Sequence, residues 1–595
     1  MNLDFFKREK SYLRKIAHEF SLKFPKVAGH LNLGAQDSGD PQVERLIESF
    51  AFLTGNIQQI IESEFPEIST ALLSILYPNL VKPIPSMTIV RFDLVSGDNP
   101  LGVDALLPRG SKMFAETTSG RTSHFQTGYD VNLLPVSVDY AGLESVDRFP
   151  FLDKVANVGS VIRIKLQAIR AFQSTGFYLS NIRFYLNGDP MIISQLYETL
   201  FCNLVDVAII AEGQEDPIFL PQGSITPVGF HEDESVIPVG ENSHPAFGLI
   251  QEYFIFPEKY HFIDVNNLKG NNTTNNFDLL FILDNSPKLD ISENTFVPNC
   301  TPVINLFEKN TGSIELNRKK LEYHLVPDPE NESTTEVHSV LEVTKSNEED
   351  ETERVVEPFY AFGHNQTKQL NNSYWHLHRK ESWAKNINGT EVFLSFRDFG
   401  FNHSTPKSER VFVKTLCTNR DLAEKIPAGA LLEPEEKGVV QQATCLKKPT
   451  SPITPPLRGP TLWRLISNLS LNYLSLSGNK ESLEALRSVL RTYNFSDSAT
   501  TEQQIMGIRF MDVRKVLSHT GFEGWRGFCK GLEVTLTVDP AYYAGSSAYL
   551  FVSVLRKFFS LYVSVNSFAE TVLKRTNQEG IWKRWSPIQG KKVTL

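Results

Sequence analysis

The chain has 595 residues, of which 41% are hydrophobic and 22% are charged, and its formal net charge is −10. This length suits three or four domains, and the composition excludes a chain that is disordered throughout. The acidic balance disfavours a general nucleic-acid-binding protein, which would carry a basic footprint.

Residues 1–86 are predicted to be helical. After Asp4, apolar side chains recur at spacings of three and four residues, as on one face of a helix that ends near Pro25. A second stripe follows Asp40-Pro41, which is a helix cap with proline at the first helical position. These two stripes supply most of a candidate partner interface, consisting of Phe5, Tyr12, Ile16, Phe20, Phe50 and Leu53.

In the stretch ALLSILYPNLVKPIPSM, from Ala71 to Met87, an apolar run is followed by three prolines. The run is much shorter than the roughly 20 apolar residues of a spanning helix. Proline fixes the backbone and favours an extended residue before it. We therefore predict a short helix that ends near Tyr77, followed by a stiff connector, and add Leu72 and Tyr77 to the candidate interface.

Strands are predicted from Met87 onward, because the hydrophobic period changes to two in TIVRFDL and VIRIKLQ. A helix near Met191 to Phe201 interrupts them. We divide this part into two β-rich domains, residues 87–230 and residues 231–447.

The proline-rich segment KPTSPITPPLRGP, residues 448–460, is predicted to be a stiff linker. The alternative is a polyproline ligand for a partner groove. Residues 461–595 then form an α+β domain, with helices in TLWRLISNLSLNYLSL and ESLEALRSVLRTY, a strand in GLEVTLTVD and a helix from about Ser546 to Ser567. The whole chain is thus an α+β multi-domain protein.

Catalytic, cofactor and metal sites are not indicated by the motifs. The sequence contains no phosphate-binding loop, dinucleotide fingerprint or nucleophile elbow. His376 and His378 would share one face of a strand, with His364 nearby, but a packed sheet surface explains them better than a metal. The five cysteines are odd in number and far apart, which favours free thiols in a reducing compartment.

The tail GIWKRWSPIQGKK leaves two interpretations open. Trp582 and Trp585, among basic residues, would suit base stacking and phosphate contacts in a single-stranded nucleic acid. The favoured interpretation is that the indoles anchor the C-terminal segment. Both tryptophans, together with Trp463, are also candidate partner contacts.

Sequence blocks along the whole chain resemble one known family. They include FFKREKSYLRKIAHEFSLKFPKVAGHL, DPQVERLIESFAFLTGNIQQ, HPAFGLIQEYFIFPEKYHFID, PPLRGPTLWRLISNLSLNYLSL and IWKRWSP. Their order from residue 5 to about residue 587 is that of the TssF family, also called VasA or ImpG, of the bacterial type VI secretion system.

The resemblance implies a structural subunit of a cytoplasmic baseplate docked at the inner-membrane complex. Such a wedge holds two TssF-like copies per TssG, with TssK and TssE, around the VgrG spike hub, and it supports assembly of the contractile sheath. It implies no cofactor, no nucleic acid and only an indirect link to the membrane. The alternatives are a stand-alone β-rich binding module or a carbohydrate-active enzyme.

The resemblance also suggests a role for the N-terminal helices. Their apolar faces would enter a bundle shared with TssG or with the second copy; alternatively, they pack on this chain's own β domains. Because two identical chains cannot make identical contacts with one TssG, either one surface serves in two environments or the two copies differ in domain angle. A hinge at Pro78–Pro85 or at residues 448–460 would allow the second, and residues 448–460 are the favoured place.

Overall fold

A computed structural model describes the chain at residues 3–23, 41–64, 70, 73–74, 78–94, 105–117, 120–155, 157–168, 179–211, 213, 216–238, 245–268, 276–316, 320–347, 353–359, 373–382, 387–398, 409–436, 440–457, 480–496, 498–520, 527–560, 563 and 567–590. The chain divides into two compact units. The helical unit comprises Met1–Leu76 and Pro456–Leu469, and the body comprises Tyr77–Pro455 and Ser470–Leu595. The predicted division at residues 86, 230, 447 and 460 is finer and stays a prediction.

The helices are α1 (Leu3–Lys23), α2 (Pro41–Glu64), α3 (Pro190–Cys202), α4 (Pro245–Ile255), α5 (Lys480–Thr492), α6 (Ala499–Met506) and α7 (Ala548–Phe559). The strands of the first half are β1 (Met87–Leu94), β2 (Ala105–Leu107), β3 (Lys112–Glu116), β4 (Thr122–Thr127), β5 (Val131–Leu133), β6 (Val136–Glu144), β7 (Ser160–Ala168), β8 (Asn181–Leu186), β9 (Leu204–Ala211), β10 (Ile218–Phe219), β11 (Ile225–Pro227), β12 (Phe262–Asn266), β13 (Asn276–Leu283), β14 (Phe296–Pro298) and β15 (Cys300–Ile304).

The strands of the second half are β16 (Phe307–Asn310), β17 (Ile314–Leu316), β18 (Tyr323–His324), β19 (Glu336–Asn347), β20 (Glu353–Val355), β21 (Glu357–Pro358), β22 (Ser373–Glu381), β23 (Thr390–Asp398), β24 (Glu409–Thr418), β25 (Leu431–Pro434), β26 (Val440–Cys445), β27 (Ile508–Thr520), β28 (Gly527–Val538), β29 (Ser567–Arg575), β30 (Lys583–Arg584) and β31 (Ile588–Gln589). The predicted α+β class is confirmed.

Local sequence signals place several of these elements correctly. Helix α2 begins at Pro41, as the Asp40-Pro41 cap predicts. Strand β1 begins at Met87, where the hydrophobic period changes. The helix predicted near Met191 is α3, and Asp189 caps it by accepting a hydrogen bond from the Met191 amide. Helix α7 is shorter than predicted: it ends at Phe559, and Ser567 already begins β29. The helix predicted at TLWRLISNLSLNYLSL lies outside the described residues.

A closed barrel in the order β1-β15-β4-β3-β25-β26 joins distant parts of the chain. Strand β1 pairs with β15 on one side and with β26 on the other, so Val90 lies opposite both Thr301 and Cys445. The barrel core contains Phe92 and Phe125. Strand pairing therefore runs across the predicted boundary between residues 230 and 231.

Within the described residues, β2 pairs with β5, and four larger sheets are formed by strands that lie between the barrel strands in sequence. Two have the orders β10-β9-β13-β7-β6 and β11-β12-β8-β14. The other two, β16-β24-β19-β20 with β17 on β24 and β18-β23-β22-β21, share a core that includes Trp375, Val343 and Val413. This pair is a sandwich, because side chains of both sheets enter one core.

The C-terminal sheet has the order β27-β28-β29-β30, with β31 on β29. Strands β28 and β29 run parallel and α7 connects them, as a parallel pair requires. Aromatic rings join α7 to earlier helices of the body: Phe551 stacks with Tyr253 at 5.2 Å, and Tyr549 stacks with Phe201 at 6.1 Å between ring centroids.

The two proline-rich connectors are hydrogen-bonded to each other within the body. Ile84 and Ile453 exchange backbone hydrogen bonds of 2.9 and 3.0 Å, and the Thr450 amide donates to the Met87 carbonyl at 2.9 Å. The chain crosses between the two units at residues 76/77, 455/456 and 469/470, and the first two of these lie close to the bridge in sequence. The hinge expected within residues 448–460 stays a prediction.

Candidate subunit interface

Helices α1 and α2 form an antiparallel hairpin. Lys10 pairs with Glu48 at 2.6 Å, and Arg14, one turn later on α1, pairs with Glu44, one turn earlier on α2. Because the later residue on α1 pairs with the earlier residue on α2, the two helices run in opposite directions. Among the described residues of α2, Ala51 is fully buried and offers little side-chain bulk.

Charge pairs are a main contact between the two helices. Lys10 also reaches Glu44 at 3.1 Å. The hydrogen bond from Arg14 lowers the pKa of Glu44, and the hydrogen bond with Glu48 raises the pKa of Lys10, so both groups stay ionised at neutral pH. These pairs are partly solvent-accessible, and pairs of this kind contribute at most about 1 kcal/mol each.

Several large apolar side chains among the described residues of the hairpin are exposed and lie away from this charged contact. Leu46, Phe50 and Leu53 lie at spacings of four and three on α2, which places them on one helix face, and Phe50 is 52% exposed. On α1, Tyr12 and Ile16 are exposed one turn apart. We call these five residues the hairpin stripe. Exposed apolar area of this extent on a helix pair is typical of a partner-binding surface.

The predicted interface residues are found in three situations. Tyr12, Ile16, Phe50 and Leu53 are exposed on the hairpin stripe. Phe5 and Phe20 belong to α1, but their side chains lie outside the described part of the structure, and Leu72, Tyr77 and Trp463 lie outside the described residues altogether. Sequence reasoning missed Leu46 and Phe52 as interface candidates, although both lie in the segment after Asp40-Pro41 that the sequence predicts to be a helix.

The two C-terminal tryptophans contact the body itself. Trp585 is 8% exposed and stacks on Tyr549 of α7 at 5.3 Å. The Arg575 guanidinium lies 3.5 Å from the centre of the Trp582 ring. Lys583 donates to the Phe201 carbonyl at 2.6 Å. These contacts favour the anchoring interpretation of the tail.

Basic side chains of the tail also meet carboxylates. Arg584 bridges Glu533 at 3.0 Å and Glu570 at 2.8 Å across β28 and β29. A guanidinium held between two carboxylates is largely neutralised locally, which weakens its attraction for phosphate groups.

One cavity of the described body brings a carboxylate, a histidine and a lysine together without forming a carboxylate pair. A cavity of about 280 Å³ is lined by Glu258, His261 and Lys447 among others, and Glu258 is its one carboxylate among the described residues. Burial raises the pKa of Glu258 and lowers the pKa of His261 to about 4. Glycosidase chemistry needs two carboxylates across a cleft, so this cavity does not support it.

Thiols and histidines do not form a reactive or metal-binding cluster within the described part of the chain. The five cysteines are free, and burial raises the pKa of the Cys202 thiol to about 12, which keeps it protonated at neutral pH. His376 and His378 lie on β22, and His364 lies outside the described residues. No helix in the described ranges has both the length and the apolarity to cross a membrane.

A second exposed feature was missed at the sequence level. Strand β27 is at the end of the C-terminal sheet, and Phe510 and Leu517 on it are each 67% exposed. Its sequence, IRFMDVRKVLSHT, has no clean alternation of apolar and polar residues. Such a pattern does not indicate which side chains of the strand are buried, or whether both of its edges pair with other strands.

Comparisons with known proteins cover the whole chain. A family model described as "Type VI secretion system, TssF" matches residues 2–592. A curated relative from Pseudomonas aeruginosa (strain PAO1), named "Type VI secretion system component TssF1", is 30% identical over 619 residues, covering 100% of this chain and 99% of the relative.

Two solved structures share the fold. A chain in a structure of the type VI secretion system TssK-TssF-TssG baseplate subcomplex matches with a TM-score of 0.73 and 23% identity, over 92% of this chain and 99% of that one. A chain in a structure of the baseplate complex from the type VI secretion system matches with a TM-score of 0.64 and 21% identity, over 100% of both chains.

Proposed function

We propose, from the premise that this chain belongs to the TssF family of type VI secretion system proteins, that it is a non-catalytic structural subunit of the baseplate. In this role it joins TssG and TssK, the proteins that accompany TssF in the baseplate subcomplex whose structure shares this fold. Two copies per TssG, contact with TssE, and a place around the VgrG spike hub complete the proposal. The baseplate would be cytoplasmic and docked at the inner-membrane complex, where it supports sheath assembly.

The observation that carries the docking part of the proposal is the arrangement of the hairpin. A hairpin that is stable by itself places its apolar face between its helices and its charges outside. Here Lys10 and Arg14 contact Glu44 and Glu48 between the helices, while Phe50 and its neighbours in the stripe face outward. Burial of such a stripe by a partner would contribute about 25 cal/mol for each Å² of apolar surface removed from water.

The first experiment is native mass spectrometry of this chain co-expressed with the TssG of the same genome. We expect a complex with two copies of the chain per TssG. The double variant Phe50→Asp/Leu53→Asp should lose TssG, because two carboxylates would be buried without partners. A chain that stays monomeric and does not bind TssG would overturn the proposal.

Leu341→Asp is the matched control for that variant. Leu341 is an exposed leucine of the sandwich, 47% accessible, and its replacement introduces the same charge on a different surface. We expect this variant to retain TssG. Equal loss of TssG in both variants would indicate a general effect of added charge and would contradict the role of the hairpin stripe.

A further inference from the structure

Strand β27 presents a long free edge. It pairs with β28 over its whole length, from Ile508 opposite Val538 to Thr520 opposite Gly527, and with no other described strand. Among the described residues, those of the helices before β27 cover its start, where Arg487 of α5 donates to the Ile508 carbonyl at 2.6 Å. Free edges of this length attract a further strand, and proteins usually shorten, cover or charge them.

The side chains of β27 divide between two faces of the sheet. Met511 and Val513 lie in register with Leu536 and Val534, which are buried. The neighbouring positions therefore lie on the opposite face, where Phe510, Asp512, Arg514 and Val516 follow one another. On this face Arg514 donates to Asp512 at 2.7 Å, and both side chains are more than half exposed.

We propose that the β27 edges of two copies of this chain pair antiparallel about a twofold axis at Val513, forming one continuous sheet. In this arrangement Asp512 of each copy lies opposite Arg514 of the other. Phe510 of each copy lies opposite Val516 of the other, an aromatic and β-branched pair of the kind that stabilises antiparallel sheets. Two copies related by a twofold axis present the same surface to each other, so the edge must be complementary to itself.

Charge selects this register over its neighbours. A twofold axis perpendicular to the sheet keeps equivalent faces on the same side, so the axis must pass opposite a single residue. Moving it by one residue to Asp512 places that carboxylate opposite its own copy, and moving it to Arg514 does the same with the guanidinium. Like charges directly opposite each other destabilise a strand pair, whereas the axis at Val513 makes two pairs of opposite charge.

The inference deepens the proposed function and rests on it for the presence of a second copy. It assigns the contact between copies to the body, whereas the hairpin stripe is assigned to TssG. The two surfaces lie on separate segments of the chain, residues 508–520 and residues 12–53, so each is tested without altering the other.

The test is oxidative cross-linking of the full-length chain, alone and in its complex with TssG. Cys529→Ser is introduced first, because Cys529 lies beside β27 in the register. On this background Val513→Cys should give a disulfide-linked dimer, since directly opposite residues lie about 5 Å apart, within disulfide reach. Lys515→Cys is the control: the two copies of residue 515 would lie about 14 Å apart along the strands, beyond that reach.

Charge reversal tests the register on the Val513→Cys chain. Asp512→Arg or Arg514→Asp alone places like charges opposite each other and should weaken dimerisation roughly tenfold. The double variant Asp512→Arg/Arg514→Asp restores opposite charges and should restore the cross-link. A dimer that forms equally well with Lys515→Cys, or a double variant that stays as weak as the single ones, would overturn the proposal.

Failure of this inference is separable from failure of the proposed function. Retained TssG binding without a Val513→Cys cross-link rejects the β27 pairing alone. Loss of TssG binding in the unmodified chain rejects the proposed function, whatever β27 does.

Discussion

The helical hairpin and the body use their charges and apolar groups in opposite ways. In the hairpin, Lys10 and Glu48 meet between the helices while Phe50 faces outward. In the body, Phe551 and other large rings are enclosed, and the ion pair of Lys259 with Glu252 is 0% and 1% exposed. The body thus buries even a charged pair, whereas the hairpin leaves its apolar stripe to water.

This difference indicates that the contacts of the body stabilise its fold, whereas the exposed stripe of the hairpin is available to bind a partner. In the body, the buried Glu252 has its partners within the same unit: besides Lys259, it accepts hydrogen bonds from the Val236 and Ile237 amides at 2.8 Å. The hairpin has few such internal contacts among its described residues. Its exposed apolar area stabilises the protein only when a partner removes that area from water. Changes in the body should therefore lower stability, and changes in the hairpin stripe should lower binding.

The largest expected effect comes from breaking the buried ion pair. Lys259→Met leaves the Glu252 carboxylate buried without its cation and should lower the free energy of unfolding by about 3–5 kcal/mol. Chemical denaturation of the full chain measures this change. The control Lys10→Met, in the hairpin, removes two partly exposed pairs and should cost at most about 2 kcal/mol. Equal losses would abolish the distinction between the two regions.

The next effect concerns the tail. Trp585→Ala removes a buried ring from its stack on Tyr549 and should lower the free energy of unfolding by about 3 kcal/mol. Thermal unfolding followed by tryptophan fluorescence measures it. A variant with unchanged stability that fails to enter the baseplate would instead assign Trp585 to a partner contact.

The smallest of the three effects is a dependence on pH. Burial lowers the pKa of His261 to about 4, below its value of about 6.5 in the unfolded chain. A group with a depressed folded pKa contributes stability above the unfolded pKa and loses it as the pH falls, here by roughly 2 kcal/mol at pH 5. Denaturation midpoints at pH 7 and pH 5 test this expectation in the full chain.

His261→Gln supplies the comparison for the pH experiment. It should reduce the loss between pH 7 and pH 5, because the protonated imidazole no longer favours the unfolded chain. The hairpin loses stability over a different pH range. Arg14 lowers the pKa of Glu44, so the stabilising contribution of Glu44 is lost only below the ordinary carboxylate pKa of 4.5. An unchanged pH dependence in His261→Gln would contradict the assignment to His261.

Local signals in the sequence were sufficient for individual elements. Pro41 and Asp189 mark helix starts through capping chemistry, and the change of period at Met87 marks the first strand. These signals act over a few residues, so they are visible in a single chain. The outward direction of Phe50 and Leu53 also follows from helix periodicity, whereas the surface that covers them does not.

Pairing between distant strands was beyond the sequence. Val90 has the alternation of a strand residue, but nothing near it specifies Thr301 and Cys445 as its neighbours. The predicted boundary at residue 230, which stays a prediction, lies in a chain segment whose two ends pair in one barrel. Edge strand β27 was missed for the same reason, since it is an edge only because no other described strand pairs with it.

The barrel also determines when its strands can pair during synthesis of the chain. Strand β1 leaves the ribosome early, but its partner Cys445 follows Val90 by 355 positions. At about 5–20 residues per second, β1 waits roughly 20–70 s with one edge open. Contacts this distant in sequence slow folding and expose the chain to aggregation meanwhile, so a nascent chain stopped before residue 440 would carry an unclosed barrel and depend on chaperones.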